Sequence, residues 1–161
     1  MDVTPDYAAF EPLFRAGQPL VLATRMIADL ETPVSAMLKL AKDEPNSFLL
    51  ESVEGGAIRG RYSFVGMRPD IIWRCQGNSA EINRDAAQHS DGFVTCPVAQ
   101  QSGALASFRS LLAESRIELP DGLPPMAAGL FGYFAYDAVR LAEDIPDQNP
   151  TVLDVPDGIF I

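Results

Sequence analysis

The 161-residue chain is poor in basic residues, histidine and cysteine. Twelve Lys and Arg stand against 22 Asp and Glu, which gives a net charge of −10. Nucleic-acid phosphates and anionic membrane surfaces are bound by clustered Lys and Arg, so we expect neither as a partner. No run of apolar residues reaches the roughly 18–20 that would span a bilayer.

Residues that hold metals or act as nucleophiles are equally scarce. Cys75 and Cys96 lack the CxxC spacing of a zinc site, and a disulfide between them stays open. The single histidine, His89, lies in a polar stretch with no nucleophile motif near it, and we interpret it as a surface residue. A nucleophile elbow, a phosphate-binding GxxxxGK[ST] loop and an HExxH motif are all missing. We therefore expect no catalytic residue and no metal ligand in these residues.

The composition that remains is that of a globular protein, with 47% hydrophobic and 21% charged residues. Asp2 and Asp6 precede any base at the N-terminus, which argues against a secretory or transit peptide and favours the reducing cytoplasm. From Glu118 to Asp157 there are eight acids and one base. We interpret this acidic third as a solvated face, the alternative being a docking surface for a basic partner.

Apolar periodicity predicts an α+β fold with a largely antiparallel sheet flanked by helices. Helices are expected to begin at Thr4, Thr32 and Ser102, the first ending at Gly17. Strands are expected at residues 19–30, 47–53, 58–66, 70–76, 79–84 and 126–136, a short helix at 137–142, and a surface loop at 85–102.

The sequence ends on an apolar run from Gly158 to Ile161. A domain seldom stops on such a strand, because its unpaired edge would be prone to association. We therefore expect the chain to continue in its parent protein, so that these residues are an incomplete part of it.

The segment from Ser47 to Val53 is the most informative one. Apolar residues begin both of its faces, which predicts a strand buried on both sides, with Glu51 and Ser52 needing polar partners near its end. Two interpretations are open. Glu51 forms a buried pair with an Arg of the next strand, or it belongs to a small-ligand pocket. In such a pocket Glu51 would bind an ammonium group and an Arg a carboxylate, with apolar neighbours around an aromatic side chain.

Four segments carry a more specific pattern. They are Glu31-Thr-Pro-Val-Ser-Ala-Met-Leu-Lys-Leu40, Ser47-Phe-Leu-Leu-Glu-Ser-Val-Glu-Gly-Gly56, Gly60-Arg-Tyr-Ser-Phe-Val-Gly66 and Gly129-Leu-Phe-Gly-Tyr-Phe-Ala-Tyr-Asp137. In this order they resemble the N-terminal domain of anthranilate synthase component I, and the resemblance extends over nearly the whole chain.

The resemblance implies that residues 1–161 are the N-terminal regulatory domain of a larger two-domain subunit, without its C-terminal chorismate-binding catalytic domain. In that family, component I converts chorismate and ammonia into anthranilate and pyruvate, the ammonia coming from a glutamine amidotransferase subunit. Mg2+ and chorismate bind in the C-terminal domain. These residues alone are therefore expected to be inactive and to hold no cofactor.

The resemblance also implies a feedback site for L-tryptophan, since the family's Leu-Leu-Glu-Ser motif matches residues 49–52. Glu51 and Ser52 are then expected to contact the effector, with Arg61 as the basic member. The expected site consists of Leu50, Glu51, Ser52, Arg61, Tyr62 and Ser63. Tyr133 and Tyr136 are weaker candidates, for which a strand-core role is expected.

Three alternatives stay open. Component I of aminodeoxychorismate synthase shares the architecture, although the complete Leu-Leu-Glu-Ser-Val-Glu-Gly-Gly element favours the anthranilate enzyme. A stand-alone amino-acid-binding module would have no catalytic domain. An interaction domain would use its acidic third to dock a partner subunit.

Overall fold

The computed structural model describes residues 2–51, 62–146 and 153–161. The chain builds two units from interleaved segments, one from residues 1–29 and 110–130 and the other from residues 30–109 and 131–161. In the described ranges, no helix has the length and apolar character needed to cross a membrane.

The chain combines helices with short antiparallel strands, as expected for an α+β protein. In chain order they are β1 Val3–Thr4, α1 Tyr7–Arg15, β2 Ala23–Thr24, α2 Pro33–Leu40, β3 Phe48–Glu51, β4 Ser63–Gly66, β5 Ile72–Gln76, β6 Ser79–Asn83, β7 Val94–Thr95, α3 Pro97–Ser102, α4 Ala104–Glu114, β8 Gly132–Phe134 and β9 Gly158–Phe160. Two 3-10 helices span Pro125–Ala127 and Tyr136–Leu141.

Helix α1 begins later than the sequence predicted. Its N-cap is Asp6, whose carboxylate accepts a hydrogen bond from the Ala9 N–H at 2.9 Å. Thr4 belongs instead to β1, which pairs with β2, so the expected cap at Thr4 is wrong. The predicted end at Gly17 is confirmed, since this residue takes a left-handed φ of 66° that glycine adopts at little cost. The strand predicted at 19–30 shrinks to the two residues of β2.

Helix α2 begins where the sequence predicted, at a reciprocal cap. The Thr32 hydroxyl accepts from the Ser35 N–H, and the Ser35 hydroxyl accepts from the Thr32 N–H. Hydrogen bonds from Lys39 and Ser35 hold the pKa of the Glu31 carboxyl below its usual value. Local sequence alone thus determines this helix start.

The larger unit is built around an antiparallel five-stranded sheet with the order β7-β6-β5-β9-β8. The hairpin β5–β6 turns at Gly77, as predicted, and the Gly77 N–H donates to the Asp157 carboxylate at 2.6 Å. The predicted strand at the C-terminal apolar run is confirmed as β9. It lies between β5 and β8 and is paired on both sides.

Aromatic rings form the core between this sheet and α4. Trp73 of β5 is fully buried, and its indole N–H donates to the Ser107 hydroxyl of α4 at 2.6 Å. Its ring centroid lies 5.0 Å from that of Phe108, and Phe108 lies 4.4 Å from Phe160 of β9. The apolar stripe predicted for this helix is therefore confirmed at Phe108.

The polar stretch at 85–102, predicted as a loop, contains two elements. Its backbone pairs with β6 as β7, and Pro97 then begins α3, a position in which its missing N–H costs nothing. Gly103, with a φ of 86°, separates α3 from α4. The helix predicted to begin at Ser102 is α4, and it begins at Ala104. The Ala104 N–H donates a hydrogen bond to the Asn78 side-chain oxygen at 3.0 Å, so Asn78 rather than Ser102 caps this helix.

Most of the segment at 126–136, predicted as a buried strand, does not form a strand. It begins with the Pro125–Ala127 3-10 helix, and its strand β8 is only three residues long and exposed, because it forms an edge of the sheet. The short helix predicted at 137–142 is confirmed as the Tyr136–Leu141 3-10 helix.

The structure excludes the disulfide that the sequence left open. Cys75 and Cys96 are both buried and free. Cys75 is the cross-strand partner of Ala80, and Cys96 donates its N–H to the Ala80 carbonyl, so two strand spacings of about 4.8 Å separate them. A disulfide requires Cα atoms within about 7 Å. Burial and the nearby Asp157 carboxylate raise the pKa of the Cys75 thiol to about 11.

The buried hydrogen bond of Trp73 predicts the effect of one substitution. In Ser107→Ala the indole N–H loses its acceptor while staying buried, and we expect the free energy of unfolding to fall by about 1–3 kcal/mol. Urea denaturation followed by circular dichroism measures the change. Ser110→Ala, on the exposed part of the same helix, is the matched control and should change it by less than about 0.5 kcal/mol. Equal effects of the two substitutions would contradict the assignment.

Candidate functional site

The strands predicted around residues 47–53 and 58–66 pair with each other, and β3 and β4 form a two-stranded antiparallel sheet. Phe48 lies opposite Gly66, Leu50 opposite Phe64 and Glu51 opposite Ser63. The two most specific segments of the family pattern are thus brought side by side. We call the pair β3–β4 the effector hairpin, after the effector role that the sequence resemblance predicts for its residues.

Four of the six predicted site residues lie together at the end of this hairpin. They are Leu50, Glu51, Tyr62 and Ser63, all of them exposed. Ser52 and Arg61 lie outside the described residues. The expected burial of the strand on both sides is wrong, because Leu50 and Glu51 are exposed and Phe48 and Leu49 are only half-buried. A buried Glu51 pair is excluded with it.

The two faces of the effector hairpin differ in chemistry. Leu50 and Phe64 share one face, and the Tyr62 ring lies 6.2 Å from that of Phe64. Leu50 is 43% exposed and Tyr62 52% exposed, so this apolar surface is open. Glu51 and Ser63 lie on the opposite face. The hairpin end therefore offers a carboxylate and a hydroxyl on one face and an accessible aromatic ring on the other, groups suited to binding rather than to catalysis.

Polar contacts hold the base of the hairpin to the segment after α2. The Ser47 hydroxyl donates to the Glu44 carbonyl at 2.9 Å, and the Arg68 guanidinium, just beyond β4, pairs with the Glu44 carboxylate at 2.6 Å. The hydrogen bond from Arg68 holds the pKa of the Glu44 carboxyl below its usual value. Both contacts are local and tie the hairpin to its nearest neighbours.

Aromatic packing supplies a second attachment, which sequence reasoning missed. The Phe48 ring lies over Gly66, where an added Cβ would overlap it. The same ring stacks on Phe131, with a centroid separation of 4.6 Å and an interplanar angle of 29°. A glycine inside a strand is the sequence signal for such a close approach.

The remaining candidates are placed elsewhere. Tyr133 lies on the exposed edge strand β8 and Tyr136 is 90% exposed in a 3-10 helix, so the strand-core role expected for them is wrong. His89 pairs with Asp85 at 2.8 Å on the surface, as interpreted. Among the described residues, no three His, Cys, Asp or Glu side chains are grouped so as to hold a metal ion.

Similar proteins identify the family. No protein-family model matches the sequence. Anthranilate synthase component 1 of Cereibacter sphaeroides is 49% identical over 96% of this chain, and its namesakes of Synechocystis and Thermus thermophilus are 36% and 38% identical over 99% and 84%. The chain spans only 30% of the length of the first two relatives and 26% of the third. It belongs to the anthranilate synthase component 1 family.

Membership of the anthranilate synthase component 1 family confirms the resemblance drawn from the four sequence segments. The match includes nearly all of this chain but less than a third of each relative. The homology therefore applies to one part of the longer proteins.

The contact between Phe48 and Gly66 predicts a second result. In Gly66→Ala the new methyl group would displace the Phe48 ring from Phe131, and overpacking of this kind lowers the free energy of unfolding by about 1–3 kcal/mol. In a Phe48→Ala background the same substitution should cost much less, because the clash is gone. Chemical denaturation of the four proteins of this cycle measures the coupling. Additive effects would show that the ring does not depend on Gly66.

Proposed function

We propose that these residues are the N-terminal regulatory part of an anthranilate synthase component I subunit and carry much of its L-tryptophan feedback site. The complete subunit would act as a lyase of tryptophan biosynthesis in the cytoplasm, forming anthranilate and pyruvate from chorismate and ammonia. The names of the relatives support this function. The part described here would regulate the reaction without performing it.

One observation carries the assignment of the site: Glu51 and Ser63 lie directly opposite each other on one face of the hairpin, and the exposed apolar side chains of Leu50 and Tyr62 lie on its other face. A free amino acid with an aromatic side chain needs both kinds of surface. Glu51 would bind its ammonium group through charge-assisted hydrogen bonds, with Ser63 beside it. The effector would lie at the edge of the strand pair, with its ammonium group toward the polar face and its indole toward Leu50 and Tyr62.

The sequence supplies the rest of the proposed site. Arg61 would bind the effector's carboxylate, preferably with two parallel hydrogen bonds, and Ser52 would fix its orientation. In the family, part of the effector pocket comes from the catalytic domain. We therefore infer that residues 1–161 alone bind tryptophan more weakly than the complete subunit does.

Feedback follows if tryptophan favours a state of the subunit that binds chorismate poorly. Coupling between two binding sites is reciprocal, so chorismate must weaken tryptophan binding by the same factor. A glutamine amidotransferase subunit, component II, would supply the ammonia. We place the ligands of Mg2+ and chorismate in the catalytic domain, and no step proposed for the effector hairpin involves the metal.

Substitution of the two motif residues tests the proposal in the complete subunit. Glu51→Ala and Ser52→Ala each remove a polar partner of the effector, and we expect the tryptophan concentration for half inhibition to rise about 10- to 100-fold. The rate of anthranilate formation without tryptophan should stay within about twofold, because neither residue is placed in the catalytic machinery. Anthranilate fluorescence measures both quantities and separates this enzyme from an aminodeoxychorismate synthase.

Glu11→Ala is a matched control, because it removes a carboxylate of α1 that pairs with Arg15 and is not part of the proposed site. It should leave the inhibition curve unchanged. Unchanged inhibition in both hairpin variants would refute the site.

A further inference from the structure

The apolar face of the effector hairpin is continuous from the proposed site to the five-stranded sheet. It begins at Tyr62, whose ring is 6.2 Å from Phe64, and passes through Leu50, the cross-strand partner of Phe64. Phe48 follows two residues earlier on the same face of β3 and stacks on Phe131 at 4.6 Å. Side chains at the open end of the hairpin are thus linked by packing to the sheet.

Gly66 fixes the position of Phe48 in this series. Because Gly66 has no Cβ, the Phe48 ring lies directly on the β4 backbone and extends across it toward Phe131. A change in the relative position of β3 and β4 would therefore move the ring. Close-packed rings leave little free space, so such a movement would press on Phe131.

Phe131 is firmly held on its other side. Its N–H donates to the Ile161 carbonyl at 2.9 Å, and its carbonyl accepts from the Ile161 N–H at 2.8 Å. These two hydrogen bonds extend the β8–β9 pairing by one residue pair. Movement of Phe131 must either carry Ile161 with it or break both bonds.

We propose that the stacked rings of Phe48 and Phe131 couple the effector hairpin to the β8–β9 strand pair, so that occupancy of the hairpin end is transmitted through this contact. The proposal rests on the proposed function, since it requires an effector that contacts Leu50 and Tyr62 on the apolar face. The polar contacts at the base of the hairpin are less suited to transmit a change at its end. Ser47 and Arg68 both bind Glu44, a near neighbour, and the Arg68–Glu44 pair is largely solvent-exposed on the arginine side.

The test uses the complete subunit and measures the coupling directly. Tryptophan dissociation constants are determined calorimetrically with and without saturating chorismate, in the absence of ammonia and glutamine so that chorismate is not consumed. The ratio of the two constants is the coupling factor. In Phe131→Leu and in Phe48→Leu we expect this factor to fall by roughly 2- to 30-fold. Tryptophan affinity without chorismate should stay within about threefold, because neither ring belongs to the proposed site.

Phe134→Leu is the matched control. It makes the same change three residues away, on the opposite face of the strand, where Phe134 packs against Phe108 at 5.2 Å and Phe160 at 4.9 Å. It should leave the coupling factor within about twofold of wild type. The double variant of Phe48 and Phe131 should lose little more coupling than either single variant, because both remove the same contact.

The outcomes separate the two proposals. If wild-type protein binds no tryptophan, the proposed function fails and the coupling proposal fails with it. If tryptophan binds with the expected coupling but both Leu variants keep the wild-type factor, or the Phe134 control loses as much, only the coupling proposal is overturned. Should Phe131→Leu fail to fold, Phe48→Leu tests the same contact from the hairpin side.

Discussion

The indole of Trp73 is the point at which several elements of the larger unit meet. Its N–H binds Ser107, and its ring lies among those of Phe108, Phe134 and Phe160. Helix α4 and strands β5, β8 and β9 are thereby fixed around one side chain. A large buried ring whose single polar atom has a partner stabilises a core without leaving an unsatisfied donor. This cluster packs α4 against the sheet, and Phe131 is held next to it by backbone hydrogen bonds to Ile161.

The effector hairpin stands in contrast to this core. It has two strands, exposed apolar side chains at its end, and attachments near its base through Ser47 and Phe48. Two-stranded sheets have little stability of their own, so such a hairpin depends on the contacts that anchor it. A regulatory site gains from this arrangement, because a segment of low local stability can respond to a small ligand while the core stays unchanged.

Sequence reasoning succeeded where local residues decide the structure. The helix start at Thr32, the turn at Gly77 and the pairing of β3 with β4 depend on neighbours in the sequence, and all were predicted. It failed where residues distant in the sequence determine the local structure. The backbone of the polar stretch at 85–102 became β7 because β6 offered an edge, and Asn78 from a distant turn caps α4. The strand from Ser47 to Val53 was expected to be buried on both sides, but burial depends on what lies over each face, and no alternation pattern contains that information. For the same reason the candidate site residues could be proposed only from family motifs, and the contact with Phe131 was missed.

The strands of the five-stranded sheet are synthesised in a different order from their order in the sheet. Gly77 and Asp157, which share a hydrogen bond, are 80 positions apart in the sequence, and β9 comes to lie in the middle of the sheet. During synthesis, β5 and β6 leave the ribosome well before β9. In the folded sheet β9 pairs with β5 on one side and with β8 on the other. Translation proceeds at about 5–20 residues per second, so β5 waits on the order of several seconds with one edge unpaired. Until β9 arrives, the nascent chain presents a template for wrong partners, and assistance by a chaperone would matter most in that interval.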